Sequence, residues 1–180
     1  LSASGHKIGG PKGIGLLYVR NGVKLEPMIL GGGQERDLRS GTENVPGIMG
    51  FEKALELSNK TDKERVKTTR DRLIAELEKI GGIIIGPKDE NRIYNNINVS
   101  FPGLDGKTLV VFLSQHGIYV SAGSACDSKK EKEDYVLKAL DLNNEEIDGS
   151  IRLTIGEDIS EEDIDFVVNQ IDKAVKKLRL

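Results

Sequence analysis

Apolar positions along this chain fall into short runs and helical stripes, separated by glycine-rich breaks. Ile14 to Arg20 contains the run Leu16-Leu17-Tyr18-Val19 and predicts a strand. Asn21-Gly22 is a hairpin signal. It predicts a returning strand over Val23 to Leu30, with Pro27 placing that strand at an edge or a bend. Gly31 to Asn44 is polar and glycine-led, a long loop of the kind that carries function. Val45 to Ser58 has helical spacing, with Ile48, Phe51 (or Met49) and Leu55 on one face. Thr61-Asp62-Lys63-Glu64 has capping-box spacing and opens a second helix. Val66, Leu73, Leu77 and Ile80 form its stripe, and Gly81-Gly82 ends it.

From Gly81 onward short strands alternate with helices. Ile83-Ile84-Ile85, Tyr94 to Phe101, Ile118-Tyr119-Val120 and Ser150 to Ile155 predict strands. Gly106 to His116 predicts a helix facing a sheet, and Asp134 to Leu140 a short one. Ser160 caps a last helix whose buried stripe is Ile164, Val167, Ile171, Val175 and Leu178. The pattern is α/β. It predicts a division near Gly81, with residues 1–80 an extension of one domain and residues 81–180 a compact α/β module.

Composition narrows the function classes. A hydrophobic content of 37% and a charged content of 31% describe a globular chain, and a net charge of -3 gives no electrostatic grip on nucleic acid or anionic lipid. No apolar run approaches the roughly 20 residues of a membrane span. A single cysteine excludes an internal disulfide and fits a reducing, cytoplasmic setting.

That cysteine, Cys126, stands in Val120-Ser121-Ala122-Gly123-Ser124-Ala125-Cys126-Asp127-Ser128, before the fully charged Lys129-Lys130-Glu131-Lys132-Glu133-Asp134. Small residues on one side and charges on the other leave no greasy pocket, so an exposed, reactive thiol is expected in place of the usual buried one. The second candidate is Ser2 to Gly15, where glycines interleave with Ser4, His6, Lys7 and Lys12. Backbone N–H groups of such a loop can cradle an anion. The spacing matches neither the P-loop nor the dinucleotide fingerprint, and on the residues alone a plain glycine-rich turn is the favoured reading. His116 reads as a capping or solvated residue at a helix end. No His/Cys cluster has the spacing of a protein-only metal site.

Seven segments in order carry a resemblance. They are Ser4-Gly5-His6-Lys7, Gly10-Pro11-Lys12-Gly13-Ile14-Gly15, Gly31-Gly32-Gly33-Gln34-Glu35, Arg39-Ser40-Gly41-Thr42-Glu43-Asn44, Asn96-Ile97-Asn98-Val99-Ser100-Phe101, Gly123-Ser124-Ala125-Cys126 and Ser150-Ile151-Arg152. The chain resembles the cysteine desulfurases of the NifS/IscS type over essentially its whole length. The resemblance implies the C-terminal part of a fold-type I transferase dependent on pyridoxal 5'-phosphate (PLP). Residues 1–80 would be the remnant of the PLP-binding large domain, with the lysine hairpin and two long helices. Residues 81–180 would be the small α/β domain with the cysteine loop.

By the same resemblance, Lys7 matches the lysine that holds PLP as a Schiff base. Ser4 and His6 match residues that contact the cofactor phosphate, and Thr42 a phosphate ligand contributed across a homodimer interface. Arg152 matches the binder of the substrate carboxylate, and Cys126 the nucleophile that takes sulfur from L-cysteine as a persulfide. The implied acceptor is an iron–sulfur scaffold or a thiolated-RNA pathway, and Cys126 as a transient cluster ligand stays open. Asp127 and Ala122 depart from the family's usual hydroxyl residues, and the family's preceding half lies outside this stretch, so the piece alone is expected to bind PLP poorly. A selenocysteine lyase or aminotransferase-like enzyme of the same fold is the alternative reading, and a non-catalytic sulfur-carrier or scaffold piece is the third.

Overall fold

Small side chains at Ser2-Ala3-Ser4 let an extended segment lie flat against Gly15-Leu16-Leu17. Strand β1 (Ser2–Ser4) and strand β2 (Gly15–Leu17) pair antiparallel, with Ala3 opposite Leu16. Leu1 and Tyr18 extend the ladder by exchanging backbone hydrogen bonds of 2.9 and 2.7 Å. The structure, a computed structural model, describes residues 1–123 and 135–179. The Lys/Glu run after Cys126, and Cys126 itself, lie outside those residues.

Between β1 and β2 the chain makes one 3-10 turn, Gly5–Ile8, closed by Gly9 in the left-handed region at φ 82°. Helix α1 (Val45–Ser58) begins at Asn44, whose side chain accepts from the Gly47 N–H at 3.1 Å, and carries Pro46 in its first turn. Its buried side is Gly47, Phe51 and Ala54, whereas Ile48 and Leu55 stand 41% and 48% exposed. Of the stripe predicted for this helix, Phe51 is buried, but its neighbours on the buried side are the small Gly47 and Ala54, and a Cβ built on Gly50 would stand 2.6 Å from Pro11 Cγ. The predicted second strand at Val23 to Leu30 does not form. The turn at Asn21-Gly22 is present, but the only described mate of β2 is β1, and Pro27 has no N–H to offer a ladder.

Residues Leu1–Thr61 form one compact unit and Asp62–Leu180 a second. The division falls at Thr61/Asp62 instead of near Gly81, because helix α2 (Lys63–Lys79) buries Val66, Leu73, Ile74 and Leu77 in the core of the second unit. Asp62, not Thr61, is its cap, accepting from the Arg65 N–H at 3.0 Å.

The second unit is built on a four-stranded sheet in the order β3-β4-β6-β5. Its strands are β3 (Ile83–Ile84), β4 (Asn96–Ser100), β5 (Ser121–Ala122) and β6 (Ser150–Thr154). It is a mixed helix-and-sheet unit, as expected, and every described strand pair in it is antiparallel. Strand β5 begins one residue beyond the predicted Ile118 to Val120. Helices α3 (Gly106–Ser114) and α6 (Glu161–Leu178) join α2 over one sheet face. Ile97, Val99, Ile151 and Leu153 point into that layer with Leu109, Leu113, Ile164, Ile171 and Val175. Two short helices complete the described unit, α4 (Tyr135–Lys138) and α5 (Asn144–Asp148), the latter closed by a capping box at Asn143 and Glu146. Among the described residues no helix is long and apolar enough to cross a membrane.

Candidate active site

Ser4, His6 and Lys7 are brought together by the 3-10 turn. All three are exposed, and among the described residues none of their side chains has a hydrogen-bond or ion-pair partner. The backbone beneath them is tightly wound. Gly5 donates to the Ile14 carbonyl at 3.0 Å, and Gly10 to the Gly5 carbonyl at 2.9 Å. A Cβ on Gly5 would stand 2.9 Å from Ile14 Cγ2, and one on Gly10 2.9 Å from the Gly5 oxygen. Only glycine fits at both places, and that close winding presents an amine, an imidazole and a hydroxyl outward from one short segment. An aldehyde needs an unpaired amine, and a phosphate needs cationic and hydrogen-bonding groups. The turn supplies both, so the residues present fit PLP.

Thr42 lies in the same unit on a separate loop, two residues before the cap of α1 and so near the positive end of that helix. The loop is locally ordered. Buried Ser40 accepts from the Gly33 N–H at 3.3 Å, Gln34 Oε1 accepts from the Gly41 N–H at 3.0 Å, and Arg39 donates to the Ser40 carbonyl at 2.6 Å. Glu35, Arg36 and Asp37 run consecutively through the left-handed region at φ 49°, 61° and 63°. Side-chain residues enter that region at a cost, and clustered strain of this kind belongs to segments held for function.

Arg152 is in the second unit, at the centre of β6. Its register partners are Asn98 on β4 and Ser121 on β5. The face it shares is polar throughout: Asn96 opposes Thr154, Asn98 opposes Arg152, and Ser100 opposes Ser150. Arg152 is half-buried, without a hydrogen bond or ion pair among the described residues. Asn98 Oδ1 and Ser150 Oγ are both shielded from water with no partner. A cavity of about 240 Å³ opens beside this face, lined by Asn96, Asn98, Arg92, Ile93 and the α4 residues Val136 and Leu137.

The loop that rims the cavity is pinned by a buried guanidinium. Arg92 donates to the carbonyls of Pro87 (2.5 Å), Asn96 (3.3 Å) and Ile85. Burial, and then the neighbouring Arg70 charge, push its pKa down, with Asp71 opposing. Arg70, itself 1% exposed, donates to Asp71 and to the carbonyls of Arg92 and Ile93. Sequence reading missed both arginines, since no spacing marks a buried arginine. Asn98 and Ser121 were missed as neighbours of Arg152, although the alternation Asn96-x-Asn98-x-Ser100 against Ser150-x-Arg152-x-Thr154 was a usable signal. His116 is exposed, as expected. Its Nδ1 donates to the Phe112 carbonyl at 2.9 Å, and its ring stacks on Phe112 at 4.7 Å.

The sequence profile of the family described as Aminotransferase class-V matches residues 1–167, and the chain belongs to that family. PLP is the cofactor of these enzymes. Among individual proteins the chain is 45% identical to the cysteine desulfurase IscS of Methanosarcina thermophila, across 99% of this chain and 45% of that protein. It is 43% identical to cysteine desulfurase IscS 1 of Archaeoglobus fulgidus, across 99% of this chain and 48% of the relative. A solved NifS-like protein superposes with a TM-score of 0.86 at 38% identity, covering 98% of this chain and 46% of that one. The NifS-like protein of Rickettsia africae gives 0.84 at 29% identity, covering 97% and 47%. The chain spans a little under half the length of these relatives.

Proposed function

We propose that this chain carries the lysine, arginine and cysteine of a PLP-dependent cysteine desulfurase, which converts L-cysteine to L-alanine and passes the sulfur to an acceptor. The observation that carries the reading is the Ser4–Lys7 turn, an unpaired amine beside an imidazole and a hydroxyl on backbone with no room for a side chain at Gly5. The naming of its relatives as cysteine desulfurases supports the choice of reaction. In this reading residues Leu1–Thr61 belong to the large, cofactor-binding domain and the second unit to the small domain.

PLP, when bound, withdraws electrons from the substrate and loosens the bond between its Cβ and sulfur. Lys7 holds the cofactor aldehyde and later moves a proton to the substrate carbon. Ser4, His6 and, from a second subunit, Thr42 hold the phosphate, and Arg152 receives the substrate carboxylate in a two-pronged ion pair. Cys126, as thiolate, attacks the substrate sulfur. A new S–S bond forms on Cys126 while the Cβ–S bond breaks, and its electron pair stays with the carbon that Lys7 protonates. Alanine leaves, and the persulfide goes on to an iron–sulfur scaffold or another sulfur acceptor in the cytoplasm.

The test is L-cysteine turnover by the complete protein, followed by intact-mass analysis of Cys126. Alanine release with a gain of about 32 Da on Cys126, absent in Cys126→Ala, is the expected result. Turnover of selenocysteine that survives Cys126→Ala, with none of L-cysteine, overturns it in favour of a lyase.

A further inference from the structure

We propose that Asn98 is a positioning residue that holds the Arg152 guanidinium, so that its paired N–H groups face the substrate carboxylate. This deepens the desulfurase reading and rests on it for the role of Arg152. Asn98 and Arg152 are direct register partners on adjacent strands, so their side chains leave the same face of the sheet with Cβ atoms roughly 5 Å apart. Asn98 Oδ1 is shielded from water and accepts nothing. An acceptor left that way is destabilising, a penalty that a donor in the working protein removes. Among the described residues Arg152 is the only charged donor in the Asn96–Ser100 and Ser150–Thr154 ladder, and none of its five N–H groups is engaged.

One N–H given to Asn98 leaves the opposite edge of the guanidinium free for two parallel bonds to a carboxylate. Ser121, the partner on the other side, offers its hydroxyl as a second stop against rotation. Without these stops Arg152 keeps its charge and loses its aim, so binding weakens more than chemistry slows. The competing partner for Oδ1 is the hydroxyl of Ser150, one diagonal step away and also unpaired.

The experiment uses the complete PLP-loaded protein, with L-cysteine, L-cysteine methyl ester, and the nitrogen-15 Nε–Hε signal of Arg152. Asn98→Ala is expected to raise KM for L-cysteine about tenfold with kcat within about twofold, and to leave the methyl ester unchanged. Arg152→Ala alone and the Asn98→Ala/Arg152→Ala double variant are expected to match, because the first residue acts through the second. The Arg152 Nε–Hε signal, slow to exchange with water in the parent protein, should exchange quickly in Asn98→Ala. It should stay slow in Ser150→Ala and in Asn98→Asp, which keeps an acceptor but repels the substrate carboxylate. If Asn98→Ala does not fold, Asn98→Leu removes the acceptor at similar volume and is expected to give the same readings. An Arg152 signal unmoved by loss of Asn98, or moved equally by Ser150→Ala, overturns the proposal. Failure of the parent protein to turn over L-cysteine overturns the desulfurase reading instead, and the Arg152 signal still decides the role of Asn98.

Discussion

Arg92 is the side chain on which the cavity rim depends. It gathers the carbonyls of Ile85, Pro87 and Asn96 with one rigid fork, and no apolar side chain can do that. Arg92→Ala is expected to destabilise the protein by about 3 kcal/mol, through unsatisfied buried carbonyls, in a urea unfolding series. Arg92→Lys should recover little of that loss, because an ammonium cannot copy the fork. The same reasoning explains what sequence alone left dark. Lys7, Arg152 and Cys126 stood out as candidates because each lies in a motif that is local in sequence. Arg70 reaches carbonyls 22 and 23 residues away, Asn98 faces its neighbours across a strand pair, and Arg92 gathers carbonyls that only the folded chain turns toward it.

Helix α3 shows how strongly a local signal can fix an element. Its Asp105 cap accepts from the Lys107 and Thr108 backbone at 3.2 and 3.1 Å and from the Thr108 hydroxyl at 2.6 Å. The Thr108 hydroxyl first, with those N–H groups, holds the Asp105 carboxyl below its ordinary pKa against the opposing effect of burial. A lowered folded value means that the charged cap contributes fully above about pH 4 and that its contribution is lost as pH falls through the folded value. Asp105→Ala is expected to cost about 1 kcal/mol at neutral pH. The gap between parent and variant should close on acidification, and thermal melts from pH 7 down to pH 2 check this. Helices with such caps were legible nearly to the residue: α1 matches its predicted span, and α6 starts where Ser160 was expected to cap it. Elements whose partners lie far off were less so. Strand β2 had a strong hairpin signal beside it, yet its described mate is β1, which the short Gly5–Ile8 turn brings alongside.

The two compact units differ in how much apolar surface they cover. The second encloses one continuous core, with Leu77, Ile97, Phe101, Leu109, Leu113, Ile151 and Ile171 fully buried. The first leaves Met28 97%, Leu30 80%, Leu17 62% and Tyr18 61% exposed, the pattern of a surface that other polypeptide covers. Amides of β4 and β6 are therefore expected to exchange with deuterium only on global unfolding, and those of β1 and β2 in this chain several orders of magnitude sooner. Equal protection in both would contradict this account. The ordered motifs pointed to this family, and the comparisons agree. The place where the chain divides did not follow from composition, since α2 reads as a generic amphipathic helix and only packing assigns it to a core.

The two-faced ladder of β4 and β6 also guards the assembly of the protein. A slip of one residue in that pairing would turn Ile97, Val99, Ile151 and Leu153 outward and drive a guanidinium into oil. A mis-threaded chain thus loses its core and the placement of Arg152 together, which leaves a half-correct version little to compete with.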